Sequence, residues 1–328
     1  MINRSEVGSR ISVMRKEAGY TQAVFADKLG VSTQAVSKWE NGAALPDVEI
    51  LLGISWLFKI SINEILVGNN VFTKIVNRPF DFNGIAFFEA DEESADGYKV
   101  PSDVDWAKRM VQEKWIKRNW DSSMARKTYR MDLAKRVVEH GGLILEIGAG
   151  PGGFMVDILR EDFNANIIIS DISPTCVREW KKLFDNEIQP PNIHYAVLDN
   201  CDLPFEDNSI DVISAGGGFG NTVGDKFKCL TEIYRVLKPG GMYVVGDGFI
   251  TKEMLKTLPE NVQKILLVKR QDVFEDYYEA TVTAGFKKID NPLFGSWSTK
   301  GDESDIADLA NELGVELIFT SYLRYCIK

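Results

Sequence analysis

Leu145-Glu146-Ile147-Gly148-Ala149-Gly150-Pro151-Gly152-Gly153 decides the fold of most of this 328-residue chain. It follows an apolar run, Leu143–Ile147, that reads as a buried strand, and it precedes a helical stripe of Phe154, Ile158 and Leu159. Strand, glycine-rich turn and helix form the opening of a parallel α/β unit. The pattern then repeats. Ile167–Ile169 is a second strand ending at Asp171, and Ser173-Pro174 opens a helix carrying Val177, Trp180 and Phe184. Ile193–Leu198 is a third strand ending at Asp199, and Ile210–Ala215 a fourth. Phe227, Leu230, Ile233 and Leu237 stripe a helix that Lys238-Pro-Gly-Gly stops, and Met242–Val245 is a fifth strand. Such alternation predicts a Rossmann-like, doubly wound sheet with its ligand at the carboxyl ends of the strands.

The chemistry sits at those ends. Glycines after strand one let a ligand approach the main chain closely. Asp171 stands 23 residues beyond Gly148, at the end of strand two, where a carboxylate can accept two ribose hydroxyls. A nicotinamide dinucleotide also fits a glycine-rich turn of this kind, but its fingerprint is G-x-G-x-x-G. This turn is E-x-G-x-G-x-G, with Glu146 on the strand, which suits a nucleoside carrying a cationic amino-acid tail better than a pyrophosphate.

Four ordered motifs, LEIGAGPGG (145–153), IIISDIS (167–173), LDNCDLPFEDNSIDVI (198–213) and EIYRVLKPGG (232–241), make residues 121–328 resemble class I S-adenosylmethionine-dependent methyltransferases of the small-molecule type. The resemblance implies seven strands, with Phe286–Asp290 and Leu317–Ile327 as an antiparallel last pair. It also implies that Glu146, Gly148, Gly150 and Gly152 surround the methionine part of S-adenosylmethionine and that Asp171 binds its ribose. Asp199 and Asn200 then flank the adenine, Ser214 and Ala215 line the pocket, and Tyr129 touches the cofactor carboxylate. Tyr129, Asn221 and Asp247 are the candidates for orienting an acceptor. After strand four the chain reads Ala215-Gly-Gly-Gly-Phe-Gly-Asn221, without the Asn/Asp-Pro-Pro-aromatic motif of DNA-base amino methyltransferases or a Pro-Cys nucleophile for cytosine.

Working back to the N-terminus, Val7, Ile11, Met14 and Ala18 recur on one helical face. Thr21, Ser32 and Asp47 can each cap a following helix, and Ser61-Ile-Asn-Glu64 is a capping box. Five helices result. The second, Gln22–Leu29, and the third, Thr33–Glu40, are joined only by Gly30, Val31 and Ser32, the tight link of a helix-turn-helix. Val36 and Trp39 should face inward, leaving Thr33, Gln34, Ser37 and Lys38 outward, where Gln is well shaped for adenine. TQAVFADKLGVSTQAVSKWENG (21–42) followed by PDVEILLGISWLFKISINEIL (46–66) resembles the Cro/cI-like helix-turn-helix of bacterial regulators. That resemblance implies that Gln22 anchors a phosphate, that Gln34, Ser37 and Lys38 read the major groove of double-stranded DNA, and that Asn41 lies near the backbone.

The expected organisation is therefore a DNA-binding domain over 1–68, an aromatic-rich connector or lid over 69–120, and the methyltransferase over 121–328. Nine aromatics between Phe72 and Trp120 rule out a disordered tether for the middle segment. Phe80, Phe82, Phe87, Phe88 and Trp106 either cover the cofactor site or join the two domains. Ten basic side chains between Lys108 and Arg136 read as a solvated face, or else as a contact for DNA phosphates.

Charge divides the chain in the same way. Residues 1–70 hold 7 basic and 7 acidic side chains, whereas residues 141–328 hold 18 and 29, a net −11 of the chain's −10. The acidic part is a poor match for nucleic acid, which argues against DNA as the methyl acceptor. The near-neutral N-terminal domain should bind DNA as a homodimer. Cys176, Cys201, Cys229 and Cys326 are scattered without a C-x-x-C pair, and His140 and His194 are the only histidines, so no disulfide frame and no metal are expected. No secretory segment or membrane span is visible, and a cytoplasmic location is expected. The competing expectation for function is a regulator that senses S-adenosylmethionine or another ligand without turnover.

Overall fold

The computed structural model describes residues 3–66, 68, 71–82, 84–88, 106–125, 130–216, 219–220, 225–269, 277–290, 292–301 and 305–328. They form two compact units, Met1–Ala86 and Phe87–Lys328.

The first unit is helical. α1 (Arg4–Glu17) is capped by Asn3, whose side chain accepts from the Ser5 and Glu6 N–H groups. α2 (Gln22–Leu29) and α3 (Thr33–Glu40) start at Thr21 and Ser32, which accept from Val24 and Ala35 at 3.2 Å each. Gly30 closes α2 at φ 67°, a left-handed turn that favours glycine. α4 (Val48–Phe58) is capped by Asp47, and α5 (Ile62–Leu66) by the Ser61/Glu64 box, in which each residue bonds the other's N–H. A single turn, α6 (Phe72–Ile75), follows. Val7, Ile11, Phe25, Ala26, Val36, Trp39, Leu51, Ile54 and Ile65 form the core. α1 crosses α3 at Gly8, where a Cβ would stand 2.0 Å from the Trp39 carbonyl. Phe72, Phe80 and Phe82 make a chain of edge-on ring contacts in this unit.

The second unit is α/β. Three helices lead in: α7 (Trp106–Gln112), α8 (Trp115–Ala125) and α9 (Arg130–His140). Lys114 separates α7 from α8 with a left-handed φ of 54°. The sheet strands are β1 (Leu143–Glu146), β2 (Asn166–Asp171), β3 (Ile193–Val197), β4 (Ile210–Ala215), β5 (Leu237–Phe249), β6 (Lys288–Asp290), β7 (Leu293–Ser298) and β8 (Ile318–Ile327). Their order is β3-β2-β1-β4-β5-β8-β6, with β7 pairing β8 off that path. β1 to β5 are parallel, and β8 is antiparallel to β5, β6 and β7. The strand order reverses between β1 and β4, which is where such a sheet opens its ligand crevice.

Helices α10 (Met155–Glu161), α11 (Pro174–Leu183), α12 (Lys226–Val236), α13 (Lys252–Thr257), α14 (Glu260–Lys269), α15 (Tyr278–Thr283) and α16 (Asp305–Glu312) complete the α-helices among the described residues. β5 begins at Leu237, five residues before its expected start, because Leu237 already pairs with Ile210; the register then jumps to Met242 opposite Val212, leaving Lys238-Pro-Gly-Gly as an irregularity in the pairing. β7 and two short strands, Asp81–Phe82 and Ala86–Phe87, stand outside the expected seven. Among the described residues the first unit carries α6 besides α1 to α5. Among the described residues no helix is long and apolar enough to cross a membrane.

Candidate functional site

β1 and β2 deliver two carboxylates to either side of the glycine turn. Asp171, at the last position of β2, accepts the Gly150 N–H on Oδ2 at 2.8 Å and the Ser173 N–H on Oδ1 at 2.9 Å. A carboxylate oxygen has two lone pairs and can accept more than one hydrogen bond. Gly148 and Gly150 adopt φ 55° and 50°, and among the described residues no atom stands within 4 Å of where a Gly150 Cβ would be. A ligand can therefore approach the main chain at this point. Gly152, the outermost of the four glycines, is exposed.

Glu146 is the last residue of β1. Its side chain is completely buried. Oε1 accepts the Phe154 N–H at 2.6 Å, and Oε2 accepts the Ser214 hydroxyl from β4. The Glu146 carbonyl accepts the Ser170 hydroxyl of β2 at 2.7 Å. Glu146 thus fastens the far end of the turn to the two neighbouring strands. Ser214 and Ala215 end β4 as buried residues, with Ser214 in register with Glu146. Gly216 follows, and a Cβ there would come within 2.8 Å of the Phe154 N and Cβ.

Two side chains hold the turn from outside, and neither was singled out in the sequence. Trp180 of α11 donates its indole N–H to the Gly150 carbonyl at 2.7 Å, and Asn119 of α8 donates to the Pro151 carbonyl at 3.0 Å. Trp180 reads as an ordinary core position of its helix, so only its polar ring nitrogen hints at more. Asn119 precedes β1 by more than twenty residues and carries no local signal.

At the end of β3, Asp199 accepts the Cys201 N–H at 2.8 Å, and Asn200 is half-buried beside it. The loop beyond is clamped by Arg235 of α12. Its guanidinium donates to the Leu203 and Phe205 carbonyls and pairs with Glu232 at 2.7 Å and Asp207 at 2.8 Å. Those ion pairs hold Arg235 above its ordinary pKa. The EIYRVLKPGG motif is thus structural here, fixing the segment that carries Asp199 and Asn200. Tyr129 and Asn221 lie outside the described residues. So does the side chain of Asp247, whose backbone pairs Tyr322.

The aromatic stretch divides between the units. Phe88 donates its N–H to the Val197 carbonyl and packs edge-on to Phe205, and Arg178 lies over the Phe87 ring. Residues 89–105, including Tyr98, lie outside the described residues, as does the Trp106 side chain. The basic face is partly spent inside its own unit: Lys117 pairs with Asp121 and Glu187, Arg109 with Glu113, and Arg136 with Asp290.

In the first unit, Thr33, Gln34, Lys38 and Asn41 are exposed and Ser37 half-buried, while Val36 and Trp39 are buried. Asn41 accepts the Ala43 N–H at 3.0 Å. Gln22 does something the sequence does not announce. Its amide donates to Glu40 Oε2 at 2.9 Å. Glu40 is also gripped by Arg15, Nε to Oε1 at 2.5 Å and Nη2 to Oε2 at 2.9 Å. Burial alone would raise the Glu40 pKa, but hydrogen bonds from Arg15 and Gln22 and the Arg15 charge hold it below the ordinary carboxylate value.

Comparison with known proteins adds two domains. Residues 144–241 match the model of a methyltransferase domain and residues 11–65 that of a helix-turn-helix. The chain is 34% identical over 121 residues to a ubiquinone/menaquinone biosynthesis C-methyltransferase of Idiomarina loihiensis, covering 36% of this chain and 47% of that protein. It is 30% identical over 167 residues to an uncharacterized chloroplastic methyltransferase of Arabidopsis thaliana, covering 47% of this chain and 46% of that one. It thus spans about half the length of these curated relatives. The crystal structure of the YcgJ protein of Bacillus subtilis aligns with a TM-score of 0.45 and 18% identity, over 61% of this chain and 98% of that one.

Proposed function

We propose that the protein transfers the methyl group of S-adenosylmethionine to a small molecule, and that its N-terminal domain binds double-stranded DNA, making it a cytoplasmic, homodimeric regulator of transcription. One observation carries the first part. Within the methyltransferase domain, the Asp171 carboxylate is fixed by the Gly150 N–H beside an open stretch of main chain at the switch point of the sheet. This cradle fits a ribose on Asp171 and an amino-acid tail along Gly148–Gly152. Asp199 and Asn200 suit the adenine, with the Asp199 carboxylate on its amino group. Glu146 acts as a positioning residue, because its side chain is completely buried between the Phe154 N–H and the Ser214 hydroxyl.

When bound, S-adenosylmethionine supplies an electrophilic methyl group on a sulfonium. The chain's task is then to align an acceptor and exclude water, and proximity in a dry pocket supplies much of such a rate. Ser214 and Ala215 form the buried floor beside that pocket. The charge of −11 over residues 141–328 supports a small-molecule acceptor over a nucleic acid. Support for DNA binding is the helix-turn-helix match together with the exposed row Thr33, Gln34 and Lys38 on α3. The test is incubation of the full chain with methyl-labelled S-adenosylmethionine and a fractionated metabolite extract. Label in a small-molecule fraction supports transfer. Cofactor binding with no label in any fraction would make the domain a ligand sensor instead.

A further inference from the structure

The outward face of α4 carries three large apolar side chains one turn apart. Val48 is 69% exposed, Leu52 38% and Trp56 76%. The opposite face, Leu51 and Ile54, is in the core, so the helix is apolar on both sides. A tryptophan this exposed on an apolar stripe marks an interaction surface rather than chance. The charges flanking the stripe indicate what covers it. Exposed Glu49 lies five residues before Ile54 and exposed Lys59 five residues after it, while Leu52 and Trp56 lie two residues before and after. Two α4 helices running antiparallel about a twofold at Ile54 therefore set each Leu52 against the other copy's Trp56. The same axis sets each Glu49 against the other copy's Lys59. Such self-complementarity about one axis is what an isologous contact requires.

We propose that the Val48–Leu52–Trp56 face of α4 is the surface through which two copies of this chain pair. It rests on the reading of the N-terminal domain as a dimeric DNA binder, and it names the contact that reading needs. One helix pair is small for an interface, so the dimer is a dissociating one that DNA half-sites reinforce.

The experiment is sedimentation of the full chain without DNA across roughly 1–100 µM, the range in which small interfaces associate. It reads pairing even if the domain binds no DNA, so the two ideas fail separately. A monomer–dimer equilibrium is expected. Trp56→Asp should loosen it at least ~100-fold, as for a central aromatic anchor. Glu49→Lys and Lys59→Glu should each loosen it about tenfold, and the double variant should return to within about threefold of the parent. Circular dichroism checks that each variant is folded. A chain that stays monomeric throughout would overturn the proposal. So would a dimer indifferent to Trp56→Asp, which would place the contact elsewhere or the stripe against residues 87–328. So would a double variant no tighter than either single one.

Discussion

The Gly150 N–H and the Asp171 carboxylate are joined at 2.8 Å, so the turn after β1 and the acid at the end of β2 form a single device. Ser173, which caps α11, holds the second carboxylate oxygen, and Trp180 of that helix returns to the Gly150 carbonyl. The ring of contacts runs from loop to strand to helix and back to the loop. Changes anywhere on it should be read out as changes in cofactor affinity.

Gly216→Ala offers one such change. The new Cβ would stand 2.8 Å from Phe154 and push the end of the glycine turn off Glu146. Overpacking of this kind costs about 1–3 kcal/mol. Cofactor affinity should fall by about tenfold or more while the far-ultraviolet circular dichroism stays native. Parent-like affinity would show that the turn tolerates displacement.

The two glutamines of the helix-turn-helix should behave differently. Gln34→Ala should leave the melting temperature almost unchanged and lower the preference for the cognate sequence by ~1–3 kcal/mol, the worth of a bidentate base contact. Gln22→Ala removes a hydrogen bond to ionised Glu40 and should lower stability by about 1.5 kcal/mol, weakening all sequences alike. Binding to cognate and scrambled duplexes, with a thermal melt of each variant, separates the two. An unchanged preference ratio for Gln34→Ala would remove it from the recognition surface.

Acid should loosen the N-terminal unit through Glu40. Its pKa is lower folded than unfolded, so its contribution to stability is complete above the ordinary carboxylate value, about 4.5, and is lost as pH falls through the folded value. The Arg15 pair opens in that window. Melting temperature against pH should therefore drop more steeply for the parent than for Glu40→Gln below about pH 4.5. Parallel curves would mean that the pair adds nothing.

Gly8→Ala should prise α1 from α3, because the added carbon would meet the Trp39 carbonyl at 2.0 Å. A loss of at least ~1–3 kcal/mol is expected in denaturant unfolding of the N-terminal unit. An unshifted midpoint would mean that the helices separate without cost.

Local signals made much of this molecule readable. Caps at Thr21, Ser32, Asp47 and Ser61 and the turn at Gly30 act over three or four residues, so helix ends in the first unit follow from composition alone. The parallel strands were readable because their apolar runs end in acids at the sheet edge, Asp171 and Asp199. What escaped was set by distant partners. β7 contains Gly295 and a single short alternation, and it becomes a strand only because β8 offers an edge. Lys114 has no feature that forecasts a left-handed turn. The Gln22 bond to Glu40 spans 18 residues and Glu146 to Ser214 spans 68, so neither partner is legible from the local sequence.

Titration calorimetry of the full chain with S-adenosylmethionine, beside Asp171→Ala, asks most directly whether the Gly150–Asp171 device holds that cofactor. Micromolar binding is expected for the parent. The variant should bind more weakly by ~1.5–3 kcal/mol, the worth of hydrogen bonds to a charged group, or roughly 10- to 150-fold. A folded parent that releases no heat with S-adenosylmethionine or its demethylated product, or a variant with undiminished affinity, would contradict it.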